Sequence, residues 1–463
     1  MNANLYALLR SRLATDASCL LLGDGCEITY GEIDAQVDRI ASWLVAQGLS
    51  PGSRIVVQSP KSPELLSLYL AVLKVGAVYT PLNDAYSGAE VAYFIEDAEP
   101  ALVVRDAAEV ARLAEGMAPF GEAVARDADD LAALIYTSGT TGRSKGAMVT
   151  HGNLASNALT LQSAWEFSAD DVLLHALPIF HVHGLFVALH CALLSGGRML
   201  WLPKFDAAAV VKALLRATVM MGVPTFYTRL LAEPGLSRET AAHVRLFISG
   251  SAPLLPATFE EFEARTGHRI LERYGMSEAG MITSNPLDGA RIPGSVGYPL
   301  PGVALRLSDR GGIEIKGPNV FRGYWRMPEK TAEEFTEDGW FRTGDVGRVD
   351  PDGRLWISGR AKDLIISGGF NVYPKEIELV LDEMAGVEES SVIGVPHPDF
   401  GEAVVAVVVG DADEAVLLAG ARKTLAAFKA PKRILFVDAL PRNAMGKVQK
   451  NVLRSRYEGL FGP

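Results

Sequence analysis

Apolar residues along the first 290 positions follow two alternating rhythms. In 32–47, Ile33, Val37, Ile40, Ala41, Leu44 and Val45 recur at helical spacing and Gly48 ends the run, so the spacing predicts a helix. Pro51-Gly52 then makes a turn, 54–58 reads as a strand, 63–75 as a second helix and 76–79 as a short strand. Apolar runs at 102–104, 172–174, 199–202, 218–222 and 245–249 continue the series, with helices between them. An Ala- and Leu-rich segment before Tyr136 reads as helical. Strands alternating with helices predict an α/β fold, with parallel sheets covered by helices and ligands bound beyond the carboxyl ends of the strands.

After about residue 290 the rhythm changes. Gly and Pro become frequent (GSVGYPLPGV, GGIEIKGP) and the strands shorten, as in a small β-rich unit. The last hundred residues alternate helix (375–384) and strand (390–395, 404–409, 433–437), a small α+β pattern. The boundary is placed at Lys362, giving segments 1–361 and 362–463.

Composition narrows the class. With 463 residues, 49% hydrophobic and 21% charged, the chain suits a soluble globular protein with a sizeable core. A net charge of −11 argues against a nucleic-acid surface. Cys19, Cys26 and Cys191 are scattered without a C-x-x-C, so neither a disulfide framework nor a zinc knuckle is indicated, and a reduced, cytoplasmic chain is expected. The amphipathic N-terminus is interrupted by Arg10 and Arg12, unlike a secretory signal. The most apolar long stretch, 175–194, contains four histidines and Pro178, which makes it a poor membrane span.

The stretch YTSGTTGRSKG (136–146) carries the first chemistry. Glycines let consecutive backbone N–H groups converge on one anion, hydroxyls donate further hydrogen bonds, and Lys145 adds positive charge. The Walker A pattern fails, because Ser144 precedes Lys145 and Gly146 follows where Ser or Thr should stand. From local chemistry alone, a phosphate loop and a plain linker both remain open.

Five motifs in order decide between them: YTSGTTGRSKG, RYGMSE (273–278), TGD (343–345), GRAKDLIISGGFNVYP (359–374) and PRNAMGKVQK (441–450). Together they resemble the adenylate-forming superfamily of acyl-CoA synthetases, adenylation domains and luciferases, over essentially the whole chain. HALPIFHVHGLF (175–186) and MGVPTFYTRLL (221–231) are most similar to the malonate–CoA ligases within it. The resemblance implies a large N-terminal domain of two helix-covered sheets with a small β-rich subdomain, then a small mobile C-terminal domain. It also implies a two-step reaction. A carboxylate attacks the α-phosphorus of ATP and releases pyrophosphate. The C-terminal domain then turns about a hinge, and the thiol of coenzyme A displaces AMP from the acyl-adenylate.

Residue by residue, the resemblance assigns Thr137, Ser138, Gly139, Thr140, Thr141, Gly142 and Lys145 to the β- and γ-phosphates, with Arg143 and Ser144 carried over as nucleotide-binding neighbours. Glu278 matches the magnesium-binding carboxylate, and Ser277 sits where a hydroxyl touches the reacting groups. Ser251, Ala252, Pro253, Glu272, Arg273, Tyr274, Gly275 and Met276 are carried over as the nucleotide's surroundings. Asp345 is the ribose ligand, joined by Arg360, and Lys362 is the hinge. Gly368 and Gly369 leave room for the pantetheine arm. Lys447 corresponds to the adenylation lysine, whose flexible ammonium meets the charge building on the α-phosphate. Acylation of Lys447 would remove that charge, so a lysine acyltransferase or deacylase is an implied partner.

The acyl pocket is read from four residues, His181, Ser251, Arg229 and Arg291. His181 lies, by resemblance, at its mouth; His181 and His183 have no third ligand at sensible spacing, so a metal site is not indicated. Arg229, four residues after Thr225 on a helix that opens at Pro224, stands where many relatives place apolar groups, and suggests a second carboxylate on the substrate. Arg291 is a second candidate. A buried Arg229 would reject acetate by about 1–3 kcal/mol or more. One extra methyl would change binding by only about 1–3 kcal/mol, so some methylmalonate activity is expected. The rival readings are a ligase for another short carboxylate, an amino-acid-activating adenylation enzyme, and a degenerate nucleotide-binding regulator. The last would be expected to lack Lys447, Glu278 or Asp345, and all three are present.

Overall fold

The computed structural model describes residues 2–11, 14–137, 144–442 and 447–462. The chain packs as two compact units, one of Met1–Leu305 with Ile315–Phe341, the other of Arg306–Glu314 with Arg342–Pro463.

The first unit contains two sheets. The smaller runs in the order Leu102–Val104, Arg54–Val57, Val78–Pro81, Leu131–Thr137, Lys145–Thr150, parallel except for the last pair. The larger includes Arg198–Trp201, Val172–His175, Val219–Gly222, Leu246–Ser249 and Leu271–Met276 as parallel neighbours, then Gly280–Ser284 antiparallel at one side. Helices cover them as the periodicity predicts. Helix Tyr30–Ala46 starts at a capping box in which Thr29 and Glu32 satisfy each other's backbone N–H groups, a device contributing about 1 kcal/mol. Helix Pro63–Lys74 is buried from Leu65 to Lys74, as befits a helix enclosed by neighbours.

One element departs from its local pattern. The segment before the glycine loop is a strand, Leu131–Thr137, and not a helix. A short apolar run such as LAALIY carries no period of its own. Here it pairs in parallel with the strand at Tyr79 and in antiparallel with Lys145–Thr150, so sheet pairing overrides the helix propensity of Ala and Leu.

Helix His151–Ala164 carries the geometry of one sheet to the other. It follows directly on Lys145–Thr150, and its Asn157 amide donates to Met281 O at 2.9 Å while accepting from Met281 N at 3.1 Å. Trp165, fully buried at its end, donates to Ser284 Oγ at 3.0 Å. The hairpin 271–284 is thus fixed against the element that closes the glycine loop.

The second unit contains the ladder Phe341–Val349 with Leu355–Arg360 and a sheet built around the long pair Val387–His397 and Gly401–Gly410. Helices Pro374–Asp382 and Glu414–Thr424 cover its apolar face through Ile377, Leu381, Leu417 and Ala421.

Candidate active site

The glycine-rich motif joins two antiparallel strands. Thr137 and Lys145 are the last pair of the ladder, and the residues between them from Ser138 through Gly139, Thr140, Thr141 and Gly142 to Arg143 lie outside the described residues. A P-loop connects a strand to a helix, so the failed Walker pattern has a topological counterpart. Ser144 is held through its carbonyl, which accepts from Tyr93 Oη at 2.7 Å. Lys145 is buried, with Nζ 3.7 Å from Glu334 Oε1 and 4.5 Å from the centre of the Tyr324 ring.

Tyr324 links this lysine to the next motif. Its hydroxyl donates to Glu278 Oε1 at 3.0 Å. Glu278 is buried in the turn between Leu271–Met276 and Gly280–Ser284, and its carbonyl accepts from Phe321 N at 2.7 Å. Half-buried Ser277 is beside it. No group of three His, Cys, Asp or Glu gathers among the described residues. A divalent ion here would therefore take one carboxylate from the chain and its other ligands from phosphate oxygens and water, a donor set that suits Mg²⁺. Tyr324 was not legible as a site residue. It lies in none of the five motifs and 46 positions from Glu278, and only the fold brings the two together.

The residues read for the acyl group follow the ends of three parallel strands of the larger sheet. His175, Gly222 and Ser249 close those strands, and each is followed by a site stretch. Beyond His175 the chain enters a π-helix, His183–Ala188, a rare form frequent at functional sites. Gly184 is required there, since a Cβ would lie 2.0 Å from Pro178 O. Half-buried His181 accepts from His183 N through Nδ1 at 3.3 Å. His183 is buried, with Nδ1 3.3 Å from Ser251 Oγ. Burial, reinforced by the charge of Arg273, holds His183 well below the usual imidazole range, so it is neutral at pH 7.

Ser251 adopts a left-handed φ of +73°, a conformation that costs a non-glycine residue on the order of 1 kcal/mol and is concentrated at functional sites. Its loop is tied down by buried Glu272, whose Oε1 accepts from Leu254 N at 3.2 Å. Ala252 and Pro253 are exposed at the tip. Arg273 is buried with its guanidinium pressed on Gly250, where a Cβ would lie 2.4 Å from Cζ. Buried Tyr274 and half-buried Gly275 and Met276 finish the strand.

The two arginines read for the acyl group differ. Arg229 sits on helix Pro224–Leu231 as expected, but it is exposed, with no carboxylate in ion-pair range among the described residues. The selectivity expected from a buried Arg229 therefore does not follow from its own burial. Arg291 donates to the carbonyls of Pro286, Arg269 and Leu287 at 3.2, 2.7 and 2.7 Å, and so ties its own loop to the backbone at Arg269.

In the second unit, Asp345 is buried opposite Arg360 in the ladder, with Arg360 Nε 2.7 Å from Asp345 Oδ1. Exposed Lys362 lies in a 3₁₀ turn, and the neighbouring Asp363 pairs with Arg454 at 2.7 Å. Gly368 and Gly369, at φ +58° and +82°, form the two-residue turn between Ile365–Ser367 and Phe370–Val372. Lys447 is exposed just before helix Lys450–Tyr457, whereas Lys450 is tied to Glu378 and to Val392 O.

The antiparallel pair that carries the glycine-rich motif, the buried carboxylate of Glu278 and the Asp345–Arg360 pair are features of an adenylate-forming enzyme. Residues 10–325 match the AMP-binding enzyme family and residues 376–447 its C-terminal domain, and the chain belongs to that family. It is an AMP-forming acid–thiol ligase that binds ATP. A feruloyl-CoA synthase of Amycolatopsis sp is 37% identical, covering 98% of this chain and 98% of that protein. The mitochondrial malonate–CoA ligase of Mus musculus is 39% identical over 82% of this chain and 77% of its own. Among solved structures, ATP-bound MatB from Rhodopseudomonas palustris is 52% identical over the whole of both chains, with a TM-score of 0.96. Among the described residues no helix is long and apolar enough to cross a membrane.

Proposed function

We propose that the protein is a malonate–CoA ligase, converting malonate, ATP and coenzyme A into malonyl-CoA, AMP and pyrophosphate, with some activity on methylmalonate. The observation that carries this reading is Arg229, a guanidinium with no carboxylate partner among the described residues, on the helix that follows the strand end at Gly222. A feruloyl-type substrate would call for an apolar wall there. Similarity to the malonate–CoA ligase and to MatB supports the same reading.

In the first half-reaction the malonate carboxylate oxygen attacks the α-phosphorus and the bond to pyrophosphate breaks. Lys145 and the hydroxyls of the glycine loop hold the outer phosphates, and Lys447 meets the charge building on the α-phosphate. Mg²⁺, when bound, neutralises phosphate charge, and Glu278 with Tyr324 beside it would hold it. Asp345, oriented by Arg360, accepts from the ribose hydroxyls. The unit carrying Lys447 then turns about Lys362, the coenzyme A thiol attacks the acyl carbon, and AMP leaves. Gly368 and Gly369 give the pantetheine arm a backbone without Cβ atoms. Lys447, exposed, is open to acylation and its reversal. Unpaired cysteines, one of them exposed Cys26, suit a reducing cytoplasm.

Arg229→Leu tests the pocket. It is expected to lower kcat/KM for malonate by about 10–100-fold, the worth of a charge-assisted hydrogen bond of roughly 1.5–3 kcal/mol, while acetate activity holds or rises. Full malonate activity in this variant would rule the role out.

A further inference from the structure

Lys145 has an acidic neighbour that none of the five motifs contains. Glu334 Oε1 lies 3.7 Å from Lys145 Nζ and 3.2 Å from Lys330 Nζ, and Lys330 also pairs with Glu333 at 2.8 Å. Lys145 makes no side-chain hydrogen bond among the described residues. Its buried ammonium is met by the Glu334 carboxylate and by the face of the Tyr324 ring. An ion pair of 3.7 Å is longer than a hydrogen bond and leaves all three N–H donors for another acceptor.

Helix stability does not account for Glu334. It caps the C-terminus of helix Pro328–Glu333, where a carboxylate meets the negative end of the peptide dipoles. Its pair with Lys330, four residues earlier, places lysine before glutamate, the weaker order on a helix. What fixes Glu334 is the packing on either side of it. Thr331 Oγ1 accepts from Tyr324 N at 2.9 Å, and the Phe335 ring packs on Phe321 and Phe341 with centres 6.1 and 5.4 Å away. Glu334 is thus carried on a segment pinned to Tyr324, the residue whose hydroxyl serves Glu278.

Without a partner, a buried ammonium is costly, so a carboxylate beside Lys145 stabilises the lysine in the nucleotide-free enzyme. Phosphate oxygens bring negative charge to the same ammonium. They repel Glu334 and compete with it for one cation.

We infer that Glu334 is a positioning residue acting through Lys145: a resting counter-ion that phosphate displaces and that reclaims the lysine as pyrophosphate leaves. This rests on the reading of Lys145 as a ligand of the outer phosphates. The exchange holds Lys145 in place before ATP arrives. It also lowers the affinity for ATP and for pyrophosphate together, which favours departure of the product.

The test compares the wild type with Glu334→Gln, Lys145→Met and the double variant, with melting temperatures to show that each is folded. Two constants are read: the Kd of ATP with Mg²⁺, by calorimetry without malonate or coenzyme A, and the inhibition constant of pyrophosphate in the full reaction. In Glu334→Gln both are expected to fall by about three- to tenfold, the scale of a half-buried ion pair, with kcat no higher than the wild type. In the Lys145→Met background the same change should move either constant by less than about twofold, because the lysine through which it acts is gone. A structural role predicts the opposite sign. A folded Glu334→Gln that binds ATP no tighter than the wild type would overturn the inference, and so would an equal gain in the Lys145→Met background. Should Glu334→Gln fail to fold, Glu334→Ala takes its place and is held to the same results. Unchanged ATP affinity in Lys145→Met would remove the phosphate reading of that lysine and this inference with it.

Discussion

Lys447→Met should lose the first half-reaction and keep the second. Malonate-dependent exchange of pyrophosphate into ATP is expected to fall by about 10²–10³-fold, the usual loss when a donor aimed at developing charge is removed. Transfer from chemically prepared malonyl-adenylate to coenzyme A should stay within a few-fold, because the charge on AMP is already established when the thiol attacks. Methionine keeps the length of the side chain, and the position is exposed, so stability should be unchanged. Lys447→Gln, which resembles an acylated lysine in lacking charge, should behave the same way. Equal loss in both half-reactions would contradict the assignment.

Glu278→Gln should have the other large effect. The carboxylate accepts from Tyr324, whose ring faces Lys145, and its proposed role with Mg²⁺ is charge, which an amide lacks. Overall turnover is expected to fall by roughly 10²-fold or more, with the half-saturating Mg²⁺ concentration rising, as suits a metal contribution of several kcal/mol. Tyr324→Phe removes only the hydroxyl that orients this carboxylate, and a loss of about 10–100-fold is typical of such supporting groups. A Tyr324→Phe loss as large as that of Glu278→Gln would instead place the phenol against substrate.

Sequence periodicity captured elements that carry their own signal. The helix read at 32–47 is Tyr30–Ala46, with the capping box at Thr29 marking its start, and the strand at 102–104 is found at those residues. The run before Tyr136 failed because its structure is decided by strands it meets in the sheet. The same divide runs through the site. Motif residues on one short segment, such as Ser277 with Glu278, were legible because their order along the chain is their signature. Tyr324 beside Glu278, Lys61 beside His175 and Arg273 on Gly250 were not legible as groupings, since the partners are 46, 114 and 23 positions apart in the chain. Arg229 stood out by its charge within an apolar context, but exposure is a property of the packed helix and had to come from the fold.

The most direct measurement is AMP formation by the purified protein with ATP, Mg²⁺ and coenzyme A, across malonate, methylmalonate, succinate, acetate and ferulate. Malonate well ahead, methylmalonate trailing, and acetate and ferulate near background is the expected result. A lead for ferulate or acetate would keep the ligase chemistry and contradict malonate as the substrate.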